Sequence, residues 1–405
     1  MAGVSAAWYL LRDGHEVSVV DRQPAPALES SYANAGLVAP GHSFAWASPK
    51  APGILARSLW RSDQAFRFRL TPDPRMWAWV LRFLRECTMS RAHANTLRKH
   101  ALCLYSQRLF RNLVAETGIE YDGRTGGLLY LYRTPASLER GVANMRILAE
   151  DGQEQEIVGP DRIAEIDPAL GAARSRIAGG VYCPTDESGD ARLFTANLAR
   201  LCADRGAVLH YGCAVQALYS EGDRIERIRT SQGDMTADVY VLSLGCYSPH
   251  QVRRLGISLP VYPVKGYSVT VPLGAADKAP AIGGVDEDNL VAYCPMGHRL
   301  RVTATAEFAG YSTSHRPADF RKMLRAIQDL FPEGGDYSQP EYWAGLRPMT
   351  PEGTPIVGFG KHRNLCYNTG HGHMGWTMAC GTAAIIADLI AGRTPELGLD
   401  GLTPR

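Results

Sequence analysis

The first 23 residues of the chain change from a helical to a strand-like pattern of hydrophobic and polar positions. Small and apolar residues from Val4 to Arg12 predict a helix, and Asp13-Gly14 ends it in the way that a C-terminal glycine does. The segment EVSVV at residues 16–20 has the composition of a buried strand, and it ends at Asp21. The pattern therefore predicts a helix followed by a buried strand.

The same α/β pattern returns from Leu193 onward. It predicts a helix through Leu201, strands at residues 208–211, 225–230 and 239–242, and a long apolar helix from Trp376 to Ala391 behind a glycine-rich loop. Two stretches interrupt it. Residues 39–177 are rich in Arg and Trp and largely helical in pattern, with a β-prone piece at 126–132, and residues 260–340 alternate β-rich segments with one helix near 318–330.

These changes of pattern predict an α/β protein of two domains. We expect a Rossmann-like nucleotide-binding domain made of three separate segments, residues 1–40, 186–258 and 343–405. We expect the intervening residues 41–185 and 259–342 to form an inserted substrate-binding domain of β-sheet plus helices.

Composition narrows the class of protein. The chain has 405 residues, 45% of them hydrophobic, and its 43 basic and 41 acidic side chains leave a net charge of +2. That balance gives no electrostatic basis for binding nucleic acid. The nine cysteines stand singly without a CxxC pair, which favours free buried thiols over disulfides or a structural zinc site. No apolar run reaches about 18 residues, so we expect a cytoplasmic protein without a membrane span.

The opening residues resemble the second half of a dinucleotide-binding motif. In GxGxxG the third glycine lets helix and strand pack closely, and an acidic residue after the next strand accepts hydrogen bonds from a ribose. Gly3 and Asp21 stand at those two positions. We expect the first strand and the first two glycines of the motif to be missing from this chain. The alternative is an ordinary αβ start in which Gly3 is only a small residue.

Four segments bring a family resemblance. They are SSYANAG at 30–36, YVLSLGCYS at 240–248, GLRPMTPEGTPIVG at 345–358 and NTGHGHMGWTMACGTAAIIADLIAG at 368–392. In this order they resemble the FAD-dependent D-amino acid oxidase and glycine oxidase superfamily, and within it the branch of bacterial D-amino acid dehydrogenase small subunits. The resemblance covers essentially the whole chain and departs from the family at the N-terminus.

The resemblance implies FAD as the cofactor. The family binds it through the opening motif, the SSYANAG loop, two strand ends and the glycine-rich loop before the last helix. We therefore expect the cofactor to contact Gly3, Asp21, Arg22, Ser31, Asn34, Ala35, Gly36, Val215, Gly245, Gly370, Gly372, Met374, Gly375, Trp376 and Thr377. The alternatives are a capped turn at the SSYANAG loop and plain sheet packing at Val215 and Gly245.

The loop from Gly370 to Thr377 has a physical reason to hold a flavin. It places backbone with few side chains at the start of a long helix, where free N–H groups carry a partial positive charge. A flavin that accepts a hydride collects negative charge, which such donors stabilise. The alternative is a simple turn. His371 and His373 lie close in sequence, but no carboxylate or cysteine stands at a fitting spacing, so we expect no metal site.

Arg347 is the first choice for binding substrate. The following proline restricts its backbone, and a fixed arginine can make a two-pronged pair with a carboxylate. In the family the matching arginine holds the carboxylate of the amino acid; the alternative is a structural ion pair with Glu352 or another acid. Tyr267 and Tyr293 are candidates for the tyrosine that closes the same carboxylate, against plain packing.

The segment from residue 57 to 91 suggests a partner. It contains eight arginines and three acids among six Trp and Phe residues, the composition of a segment that lies on an anionic bilayer. The alternative is an amphipathic helix packed on the protein with a solvated arginine face.

The resemblance implies oxidative deamination of a D-alanine-like D-amino acid by hydride transfer to FAD, with electrons passed to a quinone or another respiratory carrier. Two alternatives stay open. One is a glycine or sarcosine type of oxidase that uses O₂, and the other is a non-catalytic truncated homologue.

Overall fold

The computed structural model describes residues 1–58, 66–69 and 71–404. Its α-helices are α1 (Ala2–Arg12), α2 (Ala51–Ser58), α3 (Pro74–Glu86), α4 (Met89–Thr117), α5 (Pro135–Glu150), α6 (Pro160–Ile166), α7 (Ala191–Asp204), α8 (Ser248–Val252), α9 (Arg321–Leu330) and α10 (Gly375–Ile390). Its strands are β1 (Ser18–Val20), β2 (Leu37–Val38), β3 (Phe66–Phe68), β4 (Leu128–Tyr132), β5 (Glu156–Val158), β6 (Gly179–Cys183), β7 (Glu187–Ser188), β8 (Val208–His210), β9 (Val215–Glu221), β10 (Arg224–Thr230), β11 (Gly233–Met235), β12 (Tyr240–Leu242), β13 (Tyr262–Pro272), β14 (Gly283–Asp286), β15 (Val291–Met296), β16 (Arg299–Phe308), β17 (Glu341–Met349), β18 (Ile356–Phe359) and β19 (Leu365–Thr369).

Short parallel strands and three helices form the part that contains both chain termini. β1 pairs in parallel with β8, and β12 pairs in parallel with β19, which β18 extends in the antiparallel sense. α1 packs between α10 and α7, with Trp8 fully buried among apolar side chains of all three helices. The helices and strands predicted at the two ends of the chain are therefore present, and the predicted α/β fold class is confirmed.

A large mixed sheet forms the other half of the molecule. Its order is β17-β13-β16-β15-β14-β4-β6-β5, and β3 pairs with β16. The predicted division into domains stays a prediction. β17 runs from residue 341 to 349 and so crosses the predicted boundary at residue 342.

The register of β13 and β17 positions the site. Arg347 lies opposite Val264, and Gly345 lies opposite Gly266. Because neighbouring residues of a strand point to opposite faces, one face of this pair carries Arg347 and the two glycines, and the other carries Tyr267. A bulge in β16 follows from the left-handed Thr305, whose φ is +63°.

The second face of the large sheet packs on α9 and a short helix at Pro317–Phe320. Phe320 is fully buried there, with ring centroids 5.4 Å from Tyr267 and 4.5 Å from Tyr342. All nine cysteines are free, as the sequence predicts, and no helix among the described residues combines the length and apolar character needed to cross a bilayer.

We predict that Phe320→Ala lowers the free energy of unfolding by about 3–5 kcal/mol, because it leaves a cavity between the sheet and α9. Urea denaturation followed by tryptophan fluorescence measures this change. Ile157→Ala is the control: Ile157 is 62% exposed, so its loss costs within about 0.5 kcal/mol. Equal losses of unfolding free energy in Phe320→Ala and Ile157→Ala would contradict the burial of Phe320 against the sheet.

Candidate active site

A cavity of about 690 Å³ lies where the large sheet meets the part of the fold that holds the chain termini. Its volume is in the range of sites that hold cofactors and small ligands. Of the residues singled out from the sequence, it is lined by Asp21, Arg22, Ser31, Asn34, Ala35, Gly36, Val215, Gly245, Tyr267, Arg347, Gly372, Met374, Gly375 and Trp376. The fold thus gathers residues from nearly the full length of the chain around one space.

The start of α10 faces this cavity with unused hydrogen-bond donors. α10 begins at Gly375, and no side chain caps it. Gly370 and Gly372 turn the chain from β19 into the helix with φ values of +76° and +60°, which favour glycine. Because the first N–H groups of a helix have no partner within it, this end offers donors and a partial positive charge to a ligand.

Two buried side-chain oxygens in the cavity wall have no partner in the described part of the chain. They are Asn368 Oδ1 and Ser243 Oγ, both buried. A buried polar atom without a hydrogen bond is costly, so such atoms commonly mark the position of a ligand or water. With the uncapped end of α10, they fit a polar, anionic dinucleotide such as FAD.

Asp21 and Arg22 lie at the end of β1, as the sequence predicts. Burial raises the pKa of Asp21, and its Oδ1 accepts a hydrogen bond from the Gln23 N–H at 2.8 Å. The Arg22 guanidinium pairs with Glu29 and stacks 3.9 Å from the centroid of the Tyr247 ring. Asp21 therefore presents a carboxylate oxygen to the cavity, while Arg22 is held to one side.

The SSYANAG loop is tightened by its own side chains. Asn34 Oδ1 accepts a hydrogen bond from the Gly36 N–H at 3.0 Å, and Gly36 has a φ of +71°. The Asn34 carbonyl accepts a second bond from Arg301 Nη1 at 3.3 Å. The capped turn considered from the sequence is therefore present, and the loop also lines the cavity.

Arg347 is held by backbone carbonyls alone. Its Nη1 donates to the Thr305 carbonyl at 2.9 Å and approaches the Lys265 carbonyl at 3.5 Å, and no acid of the described chain, including Glu352, pairs with it. Burial lowers its pKa to about 10, so it is cationic at neutral pH. Its guanidinium lies over Gly266, where a Cβ would stand 2.5 Å from Arg347 Cζ. The arrangement leaves a fixed cation in the cavity wall for an anionic ligand.

The two tyrosines proposed from the sequence point away from that cation. The Tyr267 hydroxyl bonds the Glu307 carboxylate, and its ring packs on Phe320 on the other face of the sheet, so only its flank reaches the cavity. Tyr293 does not line the cavity; it is fully buried against Phe331, and its hydroxyl has no partner among the described residues. Strand alternation places both hydroxyls outside the site, which corrects their expected role beside a substrate carboxylate.

Three other predicted contacts do not reach the cavity wall: Gly3, Gly370 and Thr377. Gly3 packs on Ser243, Gly370 packs on Thr350, and the Thr377 hydroxyl accepts a bond from the Ala39 N–H at 3.1 Å. Trp376 lines the cavity, and its indole packs in an aromatic cluster with Phe110 and Phe194. Val215 keeps its place in the wall, but its carbonyl already accepts from Gln251 at 3.0 Å.

The cavity also contains side chains that sequence reasoning did not assign. His42, Trp46 and His373 line it, and the Trp46 and His373 rings stack with centroids 4.7 Å apart. For His42 and Trp46 the available signal is the polar and aromatic segment GHSFAWASP at 41–49, which begins five residues after the SSYANAG loop; His373 lies in the glycine-rich loop that the sequence singled out for its backbone. His371 also lines the cavity, but its Nε2 bonds Thr382 Oγ1 at 3.0 Å, and burial lowers its pKa to about 4. The described residues contain no cluster of side chains that could hold a metal ion.

Comparison with known proteins agrees with this geometry. The family model DAO, described as FAD dependent oxidoreductase, matches residues 1–389. The chain is 49% identical over 403 residues to D-amino acid dehydrogenase 2 of Mesorhizobium japonicum, covering 99% of this chain and 97% of that one. It is 43% identical to D-amino acid dehydrogenase of Paramagnetospirillum magneticum, covering 99% of this chain and 96% of that one.

Solved structures share the fold. Glycine oxidase from Geobacillus kaustophilus superposes with a TM-score of 0.75 at 22% identity, covering 100% of this chain and 95% of that one. L-proline dehydrogenase from P. horikoshii superposes with a TM-score of 0.74 at 17% identity, covering 100% of this chain and 94% of that one.

We predict that Gly266→Ala displaces the Arg347 guanidinium and weakens binding of a small carboxylate such as isobutyrate by about tenfold or more, the loss expected for a charge-assisted hydrogen bond. Isothermal titration calorimetry measures the Kd. Gly274→Ala serves as the matched control, because a Cβ there meets nothing closer than 3.5 Å. Unchanged affinity in a folded Gly266→Ala protein would show that the guanidinium does not bind the carboxylate.

Proposed function

The chain belongs to the DAO family of FAD-dependent oxidoreductases, and we propose that it oxidises the Cα–N bond of a D-alanine-like D-amino acid, yielding a 2-oxo acid and ammonia after hydrolysis. The observation that carries this proposal is the half-buried Arg347 guanidinium, which pairs with no acid of the described chain and lies in the wall of the same cavity as the proposed cofactor-binding segments. An amino acid carboxylate supplies the missing partner.

Arg347 positions the substrate. Its planar fork makes two parallel hydrogen bonds to a carboxylate, which fixes the orientation as well as the position of the amino acid. Because the Thr305 carbonyl and the close approach over Gly266 hold the guanidinium still, little freedom remains to be lost when the substrate binds. The side chain thereby determines where the Cα–H bond lies in the cavity.

Residues from both parts of the fold would hold the cofactor. Asp21 would accept hydrogen bonds from the ribose, the backbone N–H groups at the start of α10 would donate to the flavin, and the SSYANAG loop supplies part of the wall of the cavity that would contain it. When bound, FAD supplies the hydride acceptor for oxidation of the substrate. Burial of the Arg347 side chain strengthens its pairing with a carboxylate, because its surroundings screen the two charges less than bulk water does.

We predict that Arg347→Ala raises KM for D-alanine about a hundredfold or more, because truncating one partner of a buried charged pair costs several kcal/mol. Visible flavin absorbance of the purified variant reports that cofactor binding is retained. Arg347→Lys keeps a positive charge but lacks the planar guanidinium, so its KM for D-alanine falls between those of the unsubstituted protein and Arg347→Ala. An unchanged KM in Arg347→Ala would reject this role.

The same assay identifies the acceptor. Reduction of a quinone analogue or dye without release of hydrogen peroxide is the result expected of a dehydrogenase, in keeping with the names of the curated relatives. Stoichiometric peroxide would favour an oxidase. A colourless protein without turnover would favour the non-catalytic alternative.

The second part of the proposal places α3 on a membrane surface. Part of the segment predicted for this role, residues 59–65 and 70, lies outside the described residues. α3 buries Met76, Trp79, Val80 and Phe83, and its outer face exposes a second apolar stripe of Trp77, Leu81 and Leu84, at 41%, 60% and 39% exposure. Arg82 and Arg85 flank that stripe and pair with no acid of the described chain. Exposed apolar side chains beside free arginines are the features of a segment that binds an anionic lipid surface.

We predict that Leu81→Glu abolishes salt-sensitive co-sedimentation with phosphatidylglycerol vesicles. The carboxylate is repelled by anionic lipid and is costly to insert among acyl chains. Val208→Glu is the matched control, since Val208 is 53% exposed elsewhere on the protein. Equal co-sedimentation of both variants with the unsubstituted protein would exclude this surface.

A further inference from the structure

A buried lysine lies directly behind the cavity wall. Lys99, on α4, is 1% exposed, and its Nζ donates to the Phe44 carbonyl at 3.0 Å. The same Nζ lies 3.3 Å from Nε2 of His373, which does line the cavity. Lys99 therefore reaches the cavity only through the His373 imidazole.

No carboxylate neutralises Lys99. The described chain gives it no ion pair, and the groups that face it are the Cys103 thiol on α4, the His373 ring and His42. His42 is paired with Glu287 at 2.9 Å. Because a buried cation without a counter-ion is unstable, burial lowers the pKa of Lys99 to about 8.

The remaining charges near this group lie one step further away. Asp186 bonds the Tyr130 hydroxyl at 2.6 Å and the Gly41 N–H at 3.1 Å, and burial raises its pKa to about 7. Arg347 lies on the cavity side and, with Lys99 and His42, adds to the burial that holds the pKa of His373 well below its usual range. His373 is therefore neutral and able to pass a proton on without retaining it.

The two partners of Lys99 suit both of its protonation states. An ammonium donates to the Phe44 carbonyl and to His373 Nε2, which leaves the ring proton on Nδ1. A neutral amine donates to the same carbonyl and accepts from Nε2–H, which leaves a lone pair on Nδ1. The hydrogen bond that the described chain gives the His373 ring is at Nε2 and leaves Nδ1 for a ligand, and the ring is held in place by stacking on Trp46.

We propose that His373 and Lys99 take the proton of the substrate's ammonium group, so that the amine is neutral when the Cα–N bond is oxidised. The inference rests on the function proposed above. One N–H bond of the ammonium breaks as an N–H bond forms at His373 Nδ1, and the Nε2–H bond breaks as one forms at Lys99 Nζ. No electrons are gained or lost in this step. His373 contacts the substrate, and Lys99 is a positioning residue that sets the tautomer of His373 and stores the proton.

Two non-reacting ligands of the holoenzyme separate the amine from the carboxylate. 2-Aminoisobutyrate has an ammonium group and no Cα hydrogen, so it binds without being oxidised, and isobutyrate lacks the amine. At a pH above the pKa of Lys99, the lysine is neutral and His373 presents a lone pair on Nδ1 to the ammonium group. At a lower pH, the lysine is charged and His373 presents an Nδ1–H instead. The Kd of 2-aminoisobutyrate, divided by that of isobutyrate, should therefore rise about tenfold for each pH unit below 8, since only the neutral-lysine fraction is competent.

Calorimetry between pH 6.5 and 9.5 tests three variants. Lys99→Met should remove the pH dependence of the Kd ratio. Lys99→Arg stays charged over the whole pH range, so its Kd ratio should stay at the high value that the unsubstituted protein shows at low pH. Lys278→Met makes the same change at an exposed lysine paired with Glu333 and should behave like the unsubstituted protein.

A pH-dependent ratio that persists in Lys99→Met would overturn the proposal. The proposal would also fail if Lys99→Met changed the Kd of isobutyrate alone, because Lys99 and His373 would then act on the carboxylate. It would fail as well if isobutyrate bound but 2-aminoisobutyrate did not bind at any pH. Turnover of D-alanine by the unsubstituted protein is measured in parallel. Turnover with a negative calorimetric result rejects the relay alone, whereas absence of turnover rejects the proposed function itself.

Discussion

The Arg347 guanidinium is buried without a carboxylate partner, and the large sheet is shaped to hold it there. β13 carries Gly266 where a side chain would collide with the guanidinium, and the left-handed Thr305 in β16 turns a carbonyl toward it. Two carbonyl oxygens do not neutralise a cation, so the site is electrostatically incomplete until an anion enters. In the proposed function an amino acid carboxylate completes it, which would link the sheet bulge, the position of Gly266 and the choice of substrate in a single arrangement.

The opposite wall of the cavity is built on a different principle. There the chain presents backbone donors at the start of α10, the Asn34 turn, and the unpartnered Asn368 and Ser243 oxygens. These groups suit a large polar cofactor, whereas Arg347 suits a small anion. The cavity lies at the junction of the two parts of the fold, a common position for ligand sites, because neither part encloses the space alone. In the proposed function this would bring cofactor and substrate to the same place through residues that the two parts contribute separately.

The side chains in and behind the cavity wall include two cationic groups, which are a third feature of the site. Arg347 and Lys99 are both buried without acids, and His42 carries its own carboxylate partner in Glu287. A wall of this kind attracts the substrate carboxylate and disfavours its ammonium proton. In the proposed arrangement Arg347 would fix the carboxylate end of the amino acid, and His373, backed by the neutral form of Lys99, would meet the ammonium end.

The sequence by itself predicted the α/β class, which the structure confirms. Its motifs and their family resemblance also indicated an arginine and several segments, most of whose residues the structure gathers around one cavity, because glycines and a proline beside an arginine are visible as residue types in order. It did not reveal on which face of a strand a tyrosine lies. Tyr267 and Tyr293 were expected beside the carboxylate, and strand alternation directs both hydroxyls away from it. Lys99 and His373 are 274 residues apart, and nothing in either local pattern indicates the other. Only the packing of α4 against the loop before α10 brings them together, since contacts between distant segments depend on the whole fold.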